Sequence, residues 1–302
     1  MQKSSRAWYG KDWGLSFRMF MTMFLLAALY LGFIAVLMVS HVPMPLLIMV
    51  IALVAFSQYF FSDQIVLWST RSRLLNPSQA PEIYQTLERL AQMADIPTPK
   101  LALMPTRLPN AFAIGKNPKS AVITVTRGLI DRLDPQELEA VLAHELTHIK
   151  NRDVTVITWA SFFAMVASFI VQQFFFFGFA MEDDRDRQGG VSAVMVIWIA
   201  SVLVWAISYV LIRMLSRYRE YAADRGAAIL TGHPGYLVSA LTKINQSMRH
   251  TPMRDLRQAE SFNAFFIFPA IRKDSLMEIF ATHPTLEHRI RYLEKLQEQM
   301  EK

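Results

Sequence analysis

The chain has 302 residues and a formal net charge of +6, and 53% of its residues are hydrophobic. Its mean hydropathy of +0.24 is too high for most soluble folds, and, since no nucleic-acid-binding motif is present, the basic excess indicates cytoplasmic segments of a membrane protein. The absence of cysteine excludes disulfides, thiolate metal sites and a cysteine nucleophile, so any metal ion must be held by histidine and carboxylate side chains.

Four uncharged apolar segments are long enough to cross a bilayer. They are 19–39, 44–61, 154–181 and 191–212. One such segment alone is compatible with a buried core helix, but the presence of four predicts four transmembrane helices. The first is too long for a secretory signal and is followed by no evident cleavage site, so we expect it to be retained in the membrane.

Basic residues are concentrated on one side of these segments. Lysines and arginines precede the first and third segments and follow the second and fourth, whereas 41–43 has no basic residue and 182–187 has four acids against two bases. The positive-inside rule therefore places both termini in the cytoplasm. The predicted units are an N-terminal hairpin (1–61), a polar segment (62–153), a second hairpin (154–212) and a second polar segment (213–302). Because two spans separate the polar segments, they lie on the same side and can meet.

The first polar segment mixes helical and strand patterns. An apolar stripe predicts a helix over 81–94. Short runs of apolar and β-branched residues predict strands over 100–104, 110–114 and 121–125. These elements indicate a mainly helical α+β domain with a small sheet.

The next predicted helix carries the sequence His144-Glu145-Leu146-Thr147-His148. Asp134, Pro135 and Glu137 form the capping signature of its first turn. Positions i and i+4 share a helix face, so both imidazoles can point at one ion, while Glu145 can reach a water molecule on that ion. An ordinary amphipathic helix is the alternative for this pattern alone.

The second polar segment continues the fourth span as a helix. This helix covers 216–230, with Gly232 as its C-cap. The stretch 250–275 combines charge, proline and phenylalanine and predicts a long irregular loop. The pattern over 286–301 predicts a charged amphipathic helix.

Four motifs follow one another along the chain. They are Asn110-Ala111-Phe112-Ala113, the run 144–148 with Asn151 and Asp153, the run 216–224 (Ser-Arg-Tyr-Arg-Glu-Tyr-Ala-Ala-Asp), and His283-Pro284 with Arg289. Together with the four spans they resemble the HtpX-type membrane-integrated zinc metalloproteases, which are related to the prenyl-protein (CAAX) endopeptidases. The resemblance covers nearly the whole chain and implies a zincin-like (gluzincin) metalloprotease domain on the cytoplasmic side of four transmembrane helices.

The resemblance also implies a zinc site. His144, His148 and Glu220 would hold one Zn²⁺ ion, a known set of ligands for catalytic zinc, with Glu145 as the general base. Asp224, one turn beyond Glu220, would accept a hydrogen bond from a ligand imidazole and fix its tautomer. The alternative for the two acids is a solvated helix face paired with neighbouring arginines.

Two further roles are implied by the same resemblance. His283 would stabilise the oxyanion of the reaction, with Arg289 supporting the local fold; a His-Pro turn that caps the last helix is the alternative. Asn110, Ala111, Phe112 and Ala113 would form an edge strand that binds the substrate backbone. An ordinary buried strand is the alternative for this segment.

The implied function is a zinc endopeptidase of the bacterial plasma (inner) membrane that hydrolyses unfolded or damaged membrane proteins under stress. Its partners would be polypeptides and the lipid bilayer, with no nucleic acid. One alternative is a dedicated processing protease for a specific peptide or prenylated substrate. Another is a non-catalytic membrane scaffold, against which the intact set of ligands, base and supporting acid argues.

Overall fold

The computed structural model describes residues 12–39, 66–115, 117–177, 193–251 and 283–301, with isolated positions between 45 and 53. The helices are α1 (Trp13–Val39), α2 (Pro81–Ala94), α3 (Arg127–Ile130), α4 (Pro135–Lys150), α5 (Asp153–Phe177), α6 (Ala193–Thr231), α7 (Pro234–His250) and α8 (Leu286–Glu301). The strands are β1 (Arg73–Leu74), β2 (Lys100–Met104), β3 (Ala111–Ile114) and β4 (Val122–Thr126). The fold is therefore mainly helical with a small sheet, as predicted.

Within the described residues, three helices are long and apolar enough to cross a membrane. They are Trp13–Val39, Asp153–Gln172 of α5 and Met195–Thr231 of α6. They correspond to the first, third and fourth apolar segments of the sequence. Apart from isolated positions between 45 and 53, the second predicted span, 44–61, lies outside the described residues, as do the connections 41–43 and 182–187.

The three candidate membrane helices pack against one another. Leu26 and Phe33 of α1 meet Phe162 of α5 and Val204 of α6 in one buried apolar cluster. The Tyr30 hydroxyl donates a hydrogen bond of 2.5 Å to the carbonyl of Ala160 and so joins α1 to α5. Other large apolar side chains of these helices remain exposed; they include Phe20, Phe24, Trp159 and Trp205. Exposed apolar faces on a helix of this length suit contact with lipid.

Helix α6 continues without a break from the apolar segment into the polar domain. It is 39 residues long, which confirms the predicted continuation over 216–230. Gly232 ends it in a left-handed conformation (φ 72°), and its N–H donates to the carbonyl of Ala228 at 2.9 Å, as expected of a C-cap glycine. One rigid element therefore links a candidate membrane span to Glu220 and Asp224.

The four strands form a mixed sheet in the order β1-β2-β4-β3. β2 and β4 are parallel, whereas β1 and β3 are antiparallel to their neighbours. β3 therefore lies at one edge, and it packs against α4. The strand predicted over 100–104 is confirmed, whereas β3 begins one residue later than predicted and β4 is shifted by one.

Hydrogen bonds of Thr126 determine where β3 begins and where β4 ends. The N–H of Asn110 donates to Oγ1 of Thr126 at 2.9 Å, and the N–H of Thr126 donates to the carbonyl of Asn110 at 3.0 Å. Thr126 thus closes the sheet before β3 begins. Its Oγ1 also accepts from the N–H of Leu129 at 3.1 Å, so the same side chain ends β4 and caps α3.

Helix α4 starts as its sequence predicts. Asp134 and Glu137 form a complete capping box, and Pro135 occupies the first helical position. Val141 and Leu142 are buried in the core that joins α4 to α2, α7 and the sheet. The helices predicted over 81–94 and 286–301 have the observed bounds. Of the loop predicted over 250–275, all but residues 250 and 251 lies outside the described residues.

Candidate metal centre and active site

Three side chains from two helices converge on one point. Nε2 of His144 lies 3.1 Å from Nε2 of His148, both on α4. Oε2 of Glu220, on α6, lies 3.6 Å from Nε2 of His144, and its Oε1 lies 3.5 Å from Nε2 of His148. The imidazole rings are perpendicular, with an interplanar angle of 89°. Residues 76 positions apart in sequence thus direct one ligand atom each into the same space.

The distances between these atoms suit a tetrahedral zinc ion. Two ligands that bind zinc at 2.0–2.1 Å with a tetrahedral angle are separated by about 3.3 Å. The two Nε2 atoms are 3.1 Å apart, and each lies close to one carboxylate oxygen of Glu220, at 3.6 Å from Oε2 for His144 and 3.5 Å from Oε1 for His148. In addition, Oε2 of Glu220 is buried without a hydrogen bond, although Arg289 lies 3.4 Å away, and a metal ion would supply the direct partner that a buried carboxylate oxygen needs. The residues present therefore fit the ion that the sequence implies.

The other ring nitrogen of each histidine faces a carboxylate. Nδ1 of His144 lies 3.1 Å from Oδ1 of Asp224, and Nδ1 of His148 is hydrogen-bonded to Oδ2 of Asp153 at 2.6 Å. A carboxylate at Nδ1 selects the tautomer that carries the proton there, which leaves the Nε2 lone pair for a metal. Asp224 lies where its predicted role requires, whereas the sequence analysis did not predict the contact between Asp153 and His148.

Burial contradicts the alternative that the two acids of α6 belong to a solvated face. Glu220 is 6% exposed and Asp224 is fully buried. Arg289 of α8, also fully buried, donates to Asp224 through Nε at 2.9 Å and Nη2 at 2.5 Å. Its Nη1 lies 3.4 Å from Oε2 of Glu220. Burial opposes the charge of Arg289, but Asp224 and Glu220 outweigh burial and raise its pKa.

The surroundings of the two histidines raise the pKa of both imidazoles. Burial alone would lower the pKa of His144, but the neighbouring carboxylates of Asp224 and Glu220 outweigh burial and raise it above its ordinary value. For His148, burial is likewise outweighed by the hydrogen bond to Glu220 and by the charges of Glu220 and Glu145, so its pKa is raised. Negative charge in this site thus attracts protons, and a metal ion that binds here displaces them.

Glu145 and His283 lie next to the three converging groups. Glu145 is 4% exposed and close enough for its charge to act on His148. Nδ1 of His283 lies 3.3 Å from Oε1 of Glu220. The structure therefore brings together the residues predicted as ligands, base, supporting acid and oxyanion group.

The predicted substrate strand lies at the sheet edge beside this site. Ala111 and Phe112 are buried, and Phe112 packs in a small cluster with Met104 and Val122. Ala113 is half-buried, and β3 packs directly against α4, the helix that carries both histidines.

A glycine sets the distance between the two ligand-bearing helices. A Cβ atom at Gly226 of α6 would lie 2.3 Å from Cγ2 and 2.5 Å from Oγ1 of Thr147, far inside van der Waals contact. Thr147 occupies the position before His148, so α6 reaches the motif helix only because residue 226 has no side chain. The sequence analysis did not identify this position.

Known proteases match the chain along most of its length. Residues 77–297 match the model of a protein family that is described as "Peptidase family M48". The chain is 58% identical to a protease HtpX homolog of Moorella thermoacetica over 97% of both chains. It is 50% identical to protease HtpX homolog 2 of Methanosarcina acetivorans, over 96% of this chain and 98% of that protein. The crystal structure of S. mikatae Ste24p shares its fold with a TM-score of 0.55 at 19% identity, covering 93% of this chain and 66% of the Ste24p chain.

Proposed function

This chain belongs to the M48 peptidase family and is a membrane metalloprotease of the HtpX type. On that basis we propose that it hydrolyses peptide bonds with one Zn²⁺ ion, which is held by His144, His148 and Glu220. The convergence of three ligand atoms within 4.8 Å of one another carries this proposal. It is supported by the carboxylate at each Nδ1, which leaves Nε2 of both histidines for the metal.

The residues around the ion divide the chemistry between them. A bound zinc ion supplies Lewis acidity, which polarises the scissile carbonyl and activates water. Glu145 accepts the proton of the attacking water and later delivers it to the leaving amine. His283, whose Nδ1 faces Glu220, directs its other ring nitrogen to the substrate oxyanion and stabilises the negative charge that develops there.

The substrate backbone adds to the edge of the sheet. An extended peptide pairs with β3, and the strand holds it beside α4. Both backbone groups of Asn110 already pair with Thr126, so backbone pairing with the substrate begins at Ala111 and continues to Ala113. Phe112 and the fully buried Asn110 support the strand from the core.

The site works at the cytoplasmic surface of the membrane. Asp153, which contacts a ligand histidine, is the first residue of α5, and Glu220 lies on the continuation of α6; both helices are candidate spans. With the second span over 44–61, four transmembrane helices leave both termini and both halves of the catalytic domain (62–153 and 213–302) in the cytoplasm. Membrane proteins present their unfolded cytoplasmic segments at this position.

We accordingly propose quality control of damaged membrane proteins in a bacterial plasma membrane, as part of a stress response. The alternatives of a dedicated processing protease and a non-catalytic scaffold are not favoured. The HtpX homologs match this chain end to end, and the described site retains every ligand and the base.

Cleavage of casein, an unfolded protein, by the full chain purified in detergent tests the proposed function. Zinc should support cleavage and a chelator should abolish it. Glu145→Gln should lower the rate by about 10²–10⁴-fold without loss of the metal, since Glu145 is not a ligand. Glu139→Gln, the same change in a surface ion pair of the same helix, is the control. Full activity of Glu145→Gln would refute the mechanism.

A further inference from the structure

Asp153 contacts a proposed zinc ligand from outside the motif helix. Its Oδ2 lies 2.6 Å from Nδ1 of His148, and only 6% of the residue is exposed. At this distance, in a buried position, the carboxylate accepts a hydrogen bond from Nδ1–H, so Nε2 is the ring nitrogen of His148 that is left for the metal. Asp153 thus does for His148 what Asp224 does for His144.

A buried arginine holds Asp153 in place. Arg219 is 5% exposed, and its Nη2 contacts Oδ1 of Asp153. The same nitrogen donates to the carbonyl of Asn151 at 2.9 Å. Arg219 directly precedes the proposed ligand Glu220 on α6. The same helix therefore supplies the third ligand and the cation that contacts Asp153, the partner of His148.

The backbone between α4 and α5 brings Asp153 back toward His148. The backbone N–H of Asn151 donates a hydrogen bond to the carbonyl of Thr147 at 2.9 Å, and the backbone N–H of Arg152 donates one to the carbonyl of Ile149 at 3.1 Å. Arg152 then adopts a left-handed conformation (φ 56°), which ends α4 before α5 starts at Asp153. Without this turn, a residue five positions after His148 would lie more than a turn farther along the same helix.

We infer that Asp153 is a positioning residue for His148, and that Arg219 acts on the metal through Asp153. The inference rests on the zinc function proposed above. Asp153 begins one candidate membrane helix and Arg219 lies on another, so the Arg219–Asp153 pair ties a metal ligand to the packing of α5 against α6. The orientation of His148, and with it the affinity for zinc, therefore depends on how these two helices are held at the membrane surface.

Zinc affinity of the full chain in detergent, measured by competition with a chelating dye, tests the first part. Asp153→Asn preserves the shape of the side chain but removes its charge, so it should weaken zinc binding by about 10–100-fold. Asp131→Asn is the matched control, because Asp131 forms an exposed ion pair with Arg127. Wild-type affinity in Asp153→Asn would overturn the inference.

A double-mutant cycle tests the second part. If Arg219 acts through Asp153, Arg219→Gln changes the zinc affinity of the wild type but leaves that of Asp153→Asn unchanged. Equal changes in both backgrounds would show that Arg219 acts independently and would overturn the relay.

A spectroscopic measurement separates positioning from a general loss of structure. In the Co²⁺-substituted protein, Asp153→Asn should alter the visible absorption spectrum, whereas Asp131→Asn should not. If Asp153→Asn does not fold, Asp153→Glu replaces it, because this change keeps the charge and moves the carboxylate by one methylene. The Co²⁺ spectrum of Asp153→Glu should differ from that of the wild type. Identical spectra would overturn the inference. A wild-type chain that binds no zinc would reject the proposed function itself, which distinguishes the two failures.

Discussion

The proposed ligands lie among buried charges that hold one another in place. Glu220, Asp224 and Arg289 are all excluded from solvent, and Arg289 contacts both acids. Burial of an ion pair is costly, but removal of one partner leaves the other charge buried and uncompensated, which is worse. The C-terminal helix α8 is therefore part of the site, although it contributes none of the three proposed ligands.

Substitution of the buried arginine should strongly destabilise the fold. Arg289→Gln leaves the buried charge of Asp224 without its cationic partner and should lower the free energy of unfolding by about 3–5 kcal/mol. Thermal or denaturant unfolding in detergent measures the change. Arg291→Gln, the same substitution at an exposed position of α8, should stay within about 0.5 kcal/mol of the wild type. Equal stability of the two variants would contradict the role given to Arg289.

Sequence reasoning located the converging residues but not all of their partners. The i, i+4 spacing directed His144 and His148 at one ion, and an even number of intervening spans allowed the acids of α6 to meet them, but the choice of Glu220 as third ligand came from the family resemblance. The contact of Asp153 with His148 could not be derived, because it depends on the left-handed turn at Arg152. A basic residue in that conformation has no signature in a single sequence, since glycine and asparagine are the residues that favour it.

At the scale of elements, the crossing of α4 and α6 determines whether the site forms. Gly226→Ala should force the helices apart at Thr147 and lower zinc affinity and cleavage together. Thr147→Ala removes the two nearest atoms, so the double variant should recover part of both. A double variant no better than Gly226→Ala would argue against this contact, and unaltered zinc binding by Gly226→Ala would contradict the prediction.

Helix α7 is attached to the start of α4 by a buried carboxylate. Glu137 accepts hydrogen bonds from Ser239 at 2.6 Å and Lys243 at 2.8 Å, and from the N–H of Asp134 at 2.9 Å. Burial acts to raise the pKa of Glu137, but the hydrogen bonds from Lys243, Ser239 and Asp134 outweigh it and lower the pKa. One side chain thus caps α4 and connects it to α7.

This lowered pKa predicts a pH-dependent contribution to stability. A carboxylate with a depressed pKa in the folded state stabilises the fold above the ordinary glutamate pKa of about 4.3, and the stabilisation is lost as pH falls through the folded value. Glu137→Gln should therefore lower the free energy of unfolding by about 1.5–3 kcal/mol at neutral pH. This difference from the wild type should shrink as the pH falls through the pKa of Glu137 in the folded protein. Denaturant unfolding at a series of pH values measures it; a cost independent of pH would contradict the prediction.

The elements differ in how readily the sequence predicts them. The helices over 81–94 and 286–301 have strong apolar stripes, and their bounds were correct. Helix α7 was not predicted, although Pro234 at its first position and the buried Leu237, Leu241 and Ile244 give it a helical signal. The predicted start of β3 and end of β4 were wrong by one residue because the hydrogen bonds of Thr126, not hydrophobic pattern, decide them.

For the whole molecule, the order and direction of the spans decide whether the two halves of the catalytic domain meet. Three candidate membrane helices are present among the described residues, and the apolar run and charge pattern predict a fourth over 44–61. Hydropathy and charge in the sequence carry this information well, because a bilayer imposes length and sidedness directly. The packing of α1 against α5 and α6 depends on side-chain contacts that those patterns do not encode.

The absence of native cysteine makes the topology directly measurable. A membrane-impermeant maleimide added to intact cells should label His41→Cys, between the first two predicted spans, and Gln188→Cys, between the last two. Ser69→Cys and Gln299→Cys should react only after permeabilisation. Labelling of position 69 in intact cells would contradict the second span, and labelling of position 299 would contradict a cytoplasmic C-terminus.

The metal content of purified variants tests the central claim most directly. Zinc per chain would be measured for the wild type, Glu220→Gln and Glu145→Gln prepared in parallel, with cleavage followed in the same samples. We predict one zinc ion and cleavage in the wild type, one zinc ion without cleavage in Glu145→Gln, and loss of both in Glu220→Gln. Wild-type zinc content and activity in Glu220→Gln would show that the ion is held elsewhere and would contradict the proposed site.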